Sequence, residues 1–218
     1  MNRRVVVTGM GVVSPVGNTV SEFWENIKAG VCGIGPITRF DTADYKVKVA
    51  GEVRDFDPRR YMEKLDVQHS DIYTQFAMAA ACQAMEDSGI GGTVEEERIG
   101  VYIGTGIGGI ATFMTEHKKL LDRGPRKVSP YFIPMMIANM ASGMIAMRFQ
   151  CKGAAMPAVT ACASGANAIG EAMRLIRHGY CDAMICGGSE ATVNALAAAG
   201  FQTMQALSFS EDPDAASL

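Results

Sequence analysis

Met156-Pro157-Ala158-Val159-Thr160-Ala161-Cys162-Ala163-Ser164-Gly165-Ala166-Asn167 decides how the chain is read, because it runs as a strand into a helix with a thiol at the join. At about 100° per residue, Cys162, Ala166, Ile169, Met173 and Ile176 share one narrow stripe, with Asn167, Glu171, Arg174 and His178 opposite. This pattern predicts an amphipathic helix opened by Cys162 and ended by Gly179. A cysteine in a first helical turn sits beside unpaired backbone N–H groups and the positive end of the helix dipole, both of which favour thiolate. The same N–H groups can hold a developing oxyanion, and the small residues Ala163, Ser164 and Gly165 let a substrate carbonyl approach the backbone. Position alone leaves two readings open, a nucleophile or a small buried hydrophobe of the kind most free cysteines are.

The surrounding chain has 218 residues, 48% hydrophobic and 20% charged, enough for a sizeable core in one large domain or two small ones. A net charge of -3 argues against nucleic acid as the main partner, which would demand a basic face. The six cysteines, Cys32, Cys82, Cys151, Cys162, Cys181 and Cys186, form no C-x-x-C pair, so no metal site is expected. They fit a reducing cytoplasm in which all but Cys162 serve packing. Arg3-Arg4-Val5-Val6-Val7 imitates the start of a signal peptide, but Gly9, Gly11 and Pro15 interrupt it, and no run has transmembrane length.

Outward from the central stretch, Arg4 to Val13 is a β-branched run expected as a strand buried in a parallel sheet. Gly9-Met10-Gly11-Val12-Val13-Ser14 lacks the third glycine of a dinucleotide fingerprint. Ser21 is the expected cap of a helix through Ile27 closed by Gly30, and Val31 to Arg60 reads as a surface excursion with one short strand. Ser70 is expected to cap a helix from Asp71 to Ser88 stopped by Gly89, and Ile99 to Ile103 is a strand emptying into Gly104-Thr105-Gly106-Ile107-Gly108-Gly109. Without the lysine and hydroxyl of a phosphate loop, that segment reads as tight backbone packing beside a site. Lys118, Lys119, Arg123, Arg126 and Lys127 read as a solvated basic face. Met136, Met140, Met144 and Met147 predict one core or interface helix. Ala154 to Ala161 and Cys181 to Gly188 are further strands, parallel by default across the intervening helix. Ligands in such sheets favour the carboxyl ends of strands, where Cys162 lies. Ala191 to Leu207 is expected to include a helix, and no interdomain boundary is visible.

Four segments together resemble the β-ketoacyl-acyl-carrier-protein synthases, the elongating condensing enzymes of the thiolase-like superfamily: Val5 to Gly17, Gly104 to Gly109, Thr160-Ala161-Cys162-Ala163-Ser164-Gly165, and Asp182 to Glu190. The resemblance implies an α/β, thiolase-like layered fold. Residues 1–218 would be one incomplete N-terminal synthase domain, a mostly parallel sheet covered by helices, lacking the last strand of that half and the whole C-terminal half. It implies a decarboxylative Claisen condensation of malonyl carrier protein with an acyl group held on Cys162. The Cys162 N–H would serve in an oxyanion hole, and Ile107 and Phe132 would line the acyl pocket. Implied partners are acyl carrier protein bearing acyl and malonyl phosphopantetheine thioesters, and a second copy in a homodimer; no cofactor or metal is implied, and no nucleic acid or membrane. Where the family carries a basic pair this chain has Gln68-His69-Ser70, leaving Arg59, Arg60 and Lys64 nearby for carrier docking. The family's two catalytic histidines and a lysine come from the C-terminal half. His69, His117 and His178 stand in no such setting and read as surface or structural residues. The alternatives are a silent fragment serving as a structural or dimerising half, a type II polyketide ketosynthase, and a thiolase-type enzyme of coenzyme A esters.

Overall fold

Strands covered on both faces in a parallel sheet draw on continuous apolar runs, and Ile99–Gly104 is the run around which the sheet is built. The computed structural model describes residues 3–216. In chain order its elements are α1 (Val20–Lys28), β1 (Ile34–Pro36), β2 (Val49–Gly51), α2 (Lys64–Gln68), α3 (Ile72–Ser88), β3 (Ile99–Gly104) and α4 (Ile110–Arg123). There follow α5 (Phe132–Met136), α6 (Met140–Phe149), β4 (Ala155–Ala158), α7 (Ser164–Arg177), β5 (Ala183–Gly188) and α8 (Ala195–Thr203). The chain divides into two compact units, residues 3–11 with 58–191, and residues 12–57 with 192–216.

In the first unit β3 lies between β4 and β5 and is parallel to both, with Val101 opposite Ala155 and Ile185. Strand alternation divides its side chains between two helical layers. Ile99, Val101 and Ile103 enter a core with Tyr73, Ala77, Met78 and Ala81 of α3 and Ala141 and Ile145 of α6. Gly104 faces α7, where an added Cβ would meet Ser164 and Gly165 backbone. The buried Ser142 hydroxyl joins α6 to the sheet, accepting from Ile103 N–H at 3.0 Å and donating to the Met156 carbonyl at 2.8 Å. Asp71, not Ser70, caps α3: its Oδ1 accepts from Tyr73 N–H at 3.2 Å and its Oδ2 from Thr112 N–H at 2.8 Å, so one buried carboxylate serves the first turns of α3 and α4. Ser70 donates instead to the Asp66 carbonyl, and Gly89 ends α3 at φ 58°.

The run from Arg4 toward Val13 forms no strand, and Val6 and Val7 are 60% and 80% exposed. β-branched residues suit a strand, but a strand exists only where a neighbouring edge takes its N–H and C=O groups. This segment lies on α3 instead, through Met10 N–H to Asp87 Oδ2 at 2.9 Å and close approach of Gly9 and Gly11 to the Ala84 and Ala80 carbonyls. The methionine stretch is two helices, not one, because the buried Tyr73 hydroxyl donates to the Ile137 carbonyl at 2.7 Å where the backbone turns extended. Within α6 the buried face is Ala141, Ser142 and Ile145, so Met144 packs at its edge and Met147 is exposed. Finally, α7 buries Ser164, Ala168 and Ala172, whereas Ile169 and Met173 of the expected apolar stripe face outward. The close approach of α7 to the sheet admits small side chains only.

The second unit carries α1, α8 and the antiparallel pair β1 and β2, two short strands where one was expected. The cap of α1 is Thr19, two residues before the expected Ser21; its hydroxyl accepts from Glu22 N–H at 3.2 Å. Buried Glu52 closes the turn after β1 by accepting from Thr38 N–H at 3.0 Å, Thr38 Oγ1 at 2.7 Å and Arg39 N–H at 3.2 Å. Burial pushes the Glu52 carboxyl up, but these donors and the Arg39 charge outweigh it and hold the group below its ordinary value. Asn194 caps α8, within the expected Ala191 to Leu207.

Candidate active site

The carboxyl ends of β3, β4 and β5 point the chain into three segments that meet: the loop after Gly104, the turn around Cys162, and Ser189-Glu190. They meet because glycine lets main chain touch main chain. A Cβ on Gly188 would lie 2.8 Å from Gly165 Cα, and one on Gly104 would lie 2.7 Å from Gly165 N. The first turn of α7 therefore sits directly on the strand ends. Between β4 and α7 the chain makes a 3-10 turn, Ala161–Ala163, with Ala161 at φ 51°. That left-handed conformation is costly for a residue with a Cβ, and it immediately precedes the thiol.

Ser164 holds the turn in place. Its buried hydroxyl oxygen accepts from Thr160 N–H at 2.9 Å, and its proton is shared by the carbonyls of Ala161 at 2.7 Å and Thr105 at 3.1 Å. Asn167 Nδ2 adds a bond to Thr160 Oγ1 at 2.7 Å. Cys162 is thus exposed on a turn fixed from behind. Cys151 and Cys181 are buried and Cys82 and Cys186 half-buried, and burial pushes all four thiols up, away from thiolate. Cys32 is exposed, but lies in the other unit.

The glycine loop beside this turn is held by Glu190. Its Oε2 accepts from Gly106 N–H at 2.7 Å, Ile107 N–H at 3.2 Å and, more weakly, Thr105 Oγ1 at 3.4 Å. Thr105, itself buried, accepts from Gly108 N–H at 3.1 Å. Ile107 projects from this loop and is exposed. Phe132, the first residue of α5, is half-buried with its ring 6.4 Å from Phe113. The loop touches α5 through Gly109 N–H to the Met136 carbonyl at 2.9 Å, so Cys162, Ile107 and Phe132 belong to one connected group of segments.

The other expected residues make no hydrogen bond or ring contact with Cys162 or Ile107 among those described, although His69 and His117 stack on Tyr131 and Phe113, the neighbours of Phe132. Arg59 and Arg60 occupy an exposed 3-10 turn, Pro58–Arg60, and Lys64 opens the exposed helix α2. His69 stacks on Tyr131 with ring centroids 3.6 Å apart, and His117 stacks on Phe113 at 5.9 Å. His178 caps the far end of α7, about 21 Å from its start at 1.5 Å per residue.

The profile of the family described as "Beta-ketoacyl synthase, N-terminal domain" matches residues 2–217. The chain belongs to that family. It is 47% identical over 211 residues to "3-oxoacyl-[acyl-carrier-protein] synthase 2" of Synechocystis sp., covering 96% of this chain and 51% of that protein. It is 46% identical over 218 residues to the protein of the same name from Staphylococcus aureus strain COL, covering 99% of this chain and 52% of the relative. The chain thus spans about half the length of the curated relatives it matches. Among solved structures, the ishigamide ketosynthase/chain length factor superposes with a TM-score of 0.88 at 32% identity, over 97% of this chain and 53% of that one. The synthase fold therefore accounts for the architecture of β3, β4 and β5 with their helices.

Sequence reasoning missed the work of Ser164, Thr105 and Ser142. Each is a small hydroxyl in otherwise apolar or glycine-rich surroundings, and that contrast was the available signal, since a buried hydroxyl must find a partner.

Proposed function

We propose that the full-length protein is a 3-oxoacyl-[acyl-carrier-protein] synthase of fatty-acid elongation and that this chain holds its acyl acceptor. The observation that carries the proposal is Cys162: an exposed thiol on a fixed turn at the carboxyl ends of parallel strands, in a chain of this family. In the first step the Cys162 sulfur attacks the carbonyl carbon of a carrier-bound acyl thioester. A new C–S bond forms, the carrier's C–S bond breaks, and the thiol proton ends on the departing phosphopantetheine sulfur. The Cys162 N–H stabilises the oxyanion between those events. In the second step a malonyl carrier loses carbon dioxide, and its enolate carbon attacks the Cys162 thioester. The carbon–carbon bond forms as the Cys162 thiolate leaves, so the chain gains two carbons.

Ile107 and Phe132 line the acyl channel in this proposal, supported by the contact between their two segments. The positive charge of Arg59, Arg60 and Lys64, exposed on consecutive elements, suits an acidic carrier. A second copy of the chain covers the free edge of β4. Among the described residues β4 has no second neighbour, it exposes Met156, and Val159 with Ile169 and Met173 of α7 adds further exposed apolar surface. The enolate-orienting histidines are assigned to residues outside these 218, because His69, His117 and His178 are engaged or distant from Cys162. Among the described residues no helix is long and apolar enough to cross a membrane. Fatty-acid rather than polyketide chemistry is favoured by the higher identity to the two elongation synthases than to the ishigamide enzyme.

The test is condensation by the full-length protein supplied with acyl and malonyl carrier proteins. Release of carbon dioxide with a product two carbons longer is expected, and Cys162→Ala is expected to abolish that product. Undiminished condensation by the Cys162→Ala protein refutes the assignment.

A further inference from the structure

Glu190 offers one carboxylate oxygen to two successive backbone N–H groups, those of Gly106 and Ile107, at 2.7 and 3.2 Å. Its place is set from both sides. The preceding residue, Ser189, donates its N–H to the Gly104 carbonyl at 2.9 Å and its hydroxyl to the Tyr73 carbonyl at 2.6 Å. Glu190 Oε1 accepts from Ala191 N–H at 3.3 Å, so the carboxylate is held on its own side as well. A Cβ on Gly106 would stand 3.0 Å from Glu190 Oε2 and 3.7 Å from Ala161 Cα, the residue before the thiol. The carboxylate therefore lies against the loop at the point where the loop faces the Cys162 turn.

Two N–H groups converging on one oxygen fix the peptide planes on either side of Gly106, and with them the direction in which Ile107 leaves the backbone. Glycine at 104, 106, 108 and 109 gives this loop many alternative conformations. A charged acceptor selects one of them more strongly than a neutral one would.

We propose that Glu190 is a positioning residue that sets Ile107 beside Cys162 and so sets which acyl chain lengths the channel accepts. This rests on the acyl-acceptor reading of Cys162 given above. Glu190 touches neither thiol nor substrate in this role; it acts through the Gly106-Ile107 backbone.

The test compares Glu190→Ala and Glu190→Gln with the unaltered full-length protein, measuring acyl transfer to Cys162 from carrier proteins loaded with short or long chains. For Glu190→Ala the ratio of long-chain to short-chain transfer is expected to change on the order of tenfold, the factor associated with one hydrogen bond to a charged group. Glu190→Gln keeps one acceptor oxygen and is expected to restore part of the ratio. Amide hydrogen exchange at Gly106 and Ile107 is expected to accelerate in Glu190→Ala, while alkylation of Cys162 by iodoacetamide keeps its rate. An unchanged ratio, with transfer falling equally for every chain length alongside the melting temperature, overturns the proposal in favour of a plain structural staple. If the unaltered protein takes no acyl group on Cys162, the underlying reading fails. The clamp is then judged by exchange alone: unchanged protection of Gly106 and Ile107 in both variants overturns it.

Discussion

The two ends of the parallel sheet share close backbone packing but differ in the side chains that fasten them. At the amino end, Arg98 just before β3 grips Asp182 just before β5 with paired bonds of 2.9 and 3.0 Å, and Arg3 adds a third at 2.8 Å. Arg98 also donates to the carbonyls of Gly179 and Tyr180 after α7 at 3.0 and 3.2 Å. These side chains are solvated and can adjust. At the carboxyl end the joints are glycine backbone on glycine backbone, with the buried hydroxyls of Ser164 and Thr105 and the Glu190 clamp between them. Main chain has no rotamers to redistribute. Backbone meets backbone at the amino end as well, where a Cβ on Gly153 would stand 2.6 Å from the Ile99 carbonyl oxygen and Asp182 N–H donates to the Arg98 carbonyl at 2.9 Å. The contrast lies in the fastening side chains: buried hydroxyls and the Glu190 clamp beside Cys162, solvated charges at the other end.

Substituting into each end sharpens the contrast. The largest effect is expected from Gly188→Ala, because the new Cβ would stand 2.8 Å from Gly165 Cα with no movable side chain between them. Overpacking of this kind costs about 1–3 kcal/mol. A fall in the urea midpoint and a matching loss of Cys162 acylation are expected. Retention of both by Gly188→Ala breaks the account of the carboxyl end.

The solvated charges at the amino end should respond weakly. The hydrogen bond from Arg98, opposed by burial and supported by Arg3, lowers the Asp182 carboxyl from 3.8 to about 2. A depressed carboxyl contributes stability fully above its ordinary value and loses it as pH falls through its folded value. Asp182→Asn is therefore expected to lower the urea midpoint slightly at neutral pH. The difference from the unaltered protein should vanish between about pH 4 and about pH 2. A midpoint loss as large as that of Gly188→Ala, or one that grows on acidification, contradicts the weak role given to this end.

The punctuation of this fold was legible in the sequence because it rests on local chemistry. Gly89 and Gly179 stop their helices at positive φ, β4 and β5 fall within the expected runs, and β3 runs one residue past its expected end, to Gly104. The location of Cys162 at a strand-to-helix join was equally legible, with the structure adding a 3-10 turn before α7. Features that depend on a distant partner were not. The orientation of α7 is decided by glycines at 104 and 188, which lie outside the helix and pack on its first turn, so hydrophobicity alone selects the wrong face. The break between α5 and α6 depends on the hydroxyl of Tyr73, and the conformation of the Gly104 to Gly109 loop on Glu190. No periodicity within either segment carries that information.

The most direct measurement is mass mapping of the six thiols of residues 1–218 after the full-length protein is incubated with acyl carrier protein bearing a labelled acyl thioester. An acyl thioester is expected on the Cys162 peptide and none on that of Cys32, the other exposed thiol among the described residues. Acylation of Cys32 or a half-buried cysteine in place of Cys162, or unchanged labelling in Cys162→Ala, would contradict Cys162 as the acyl acceptor.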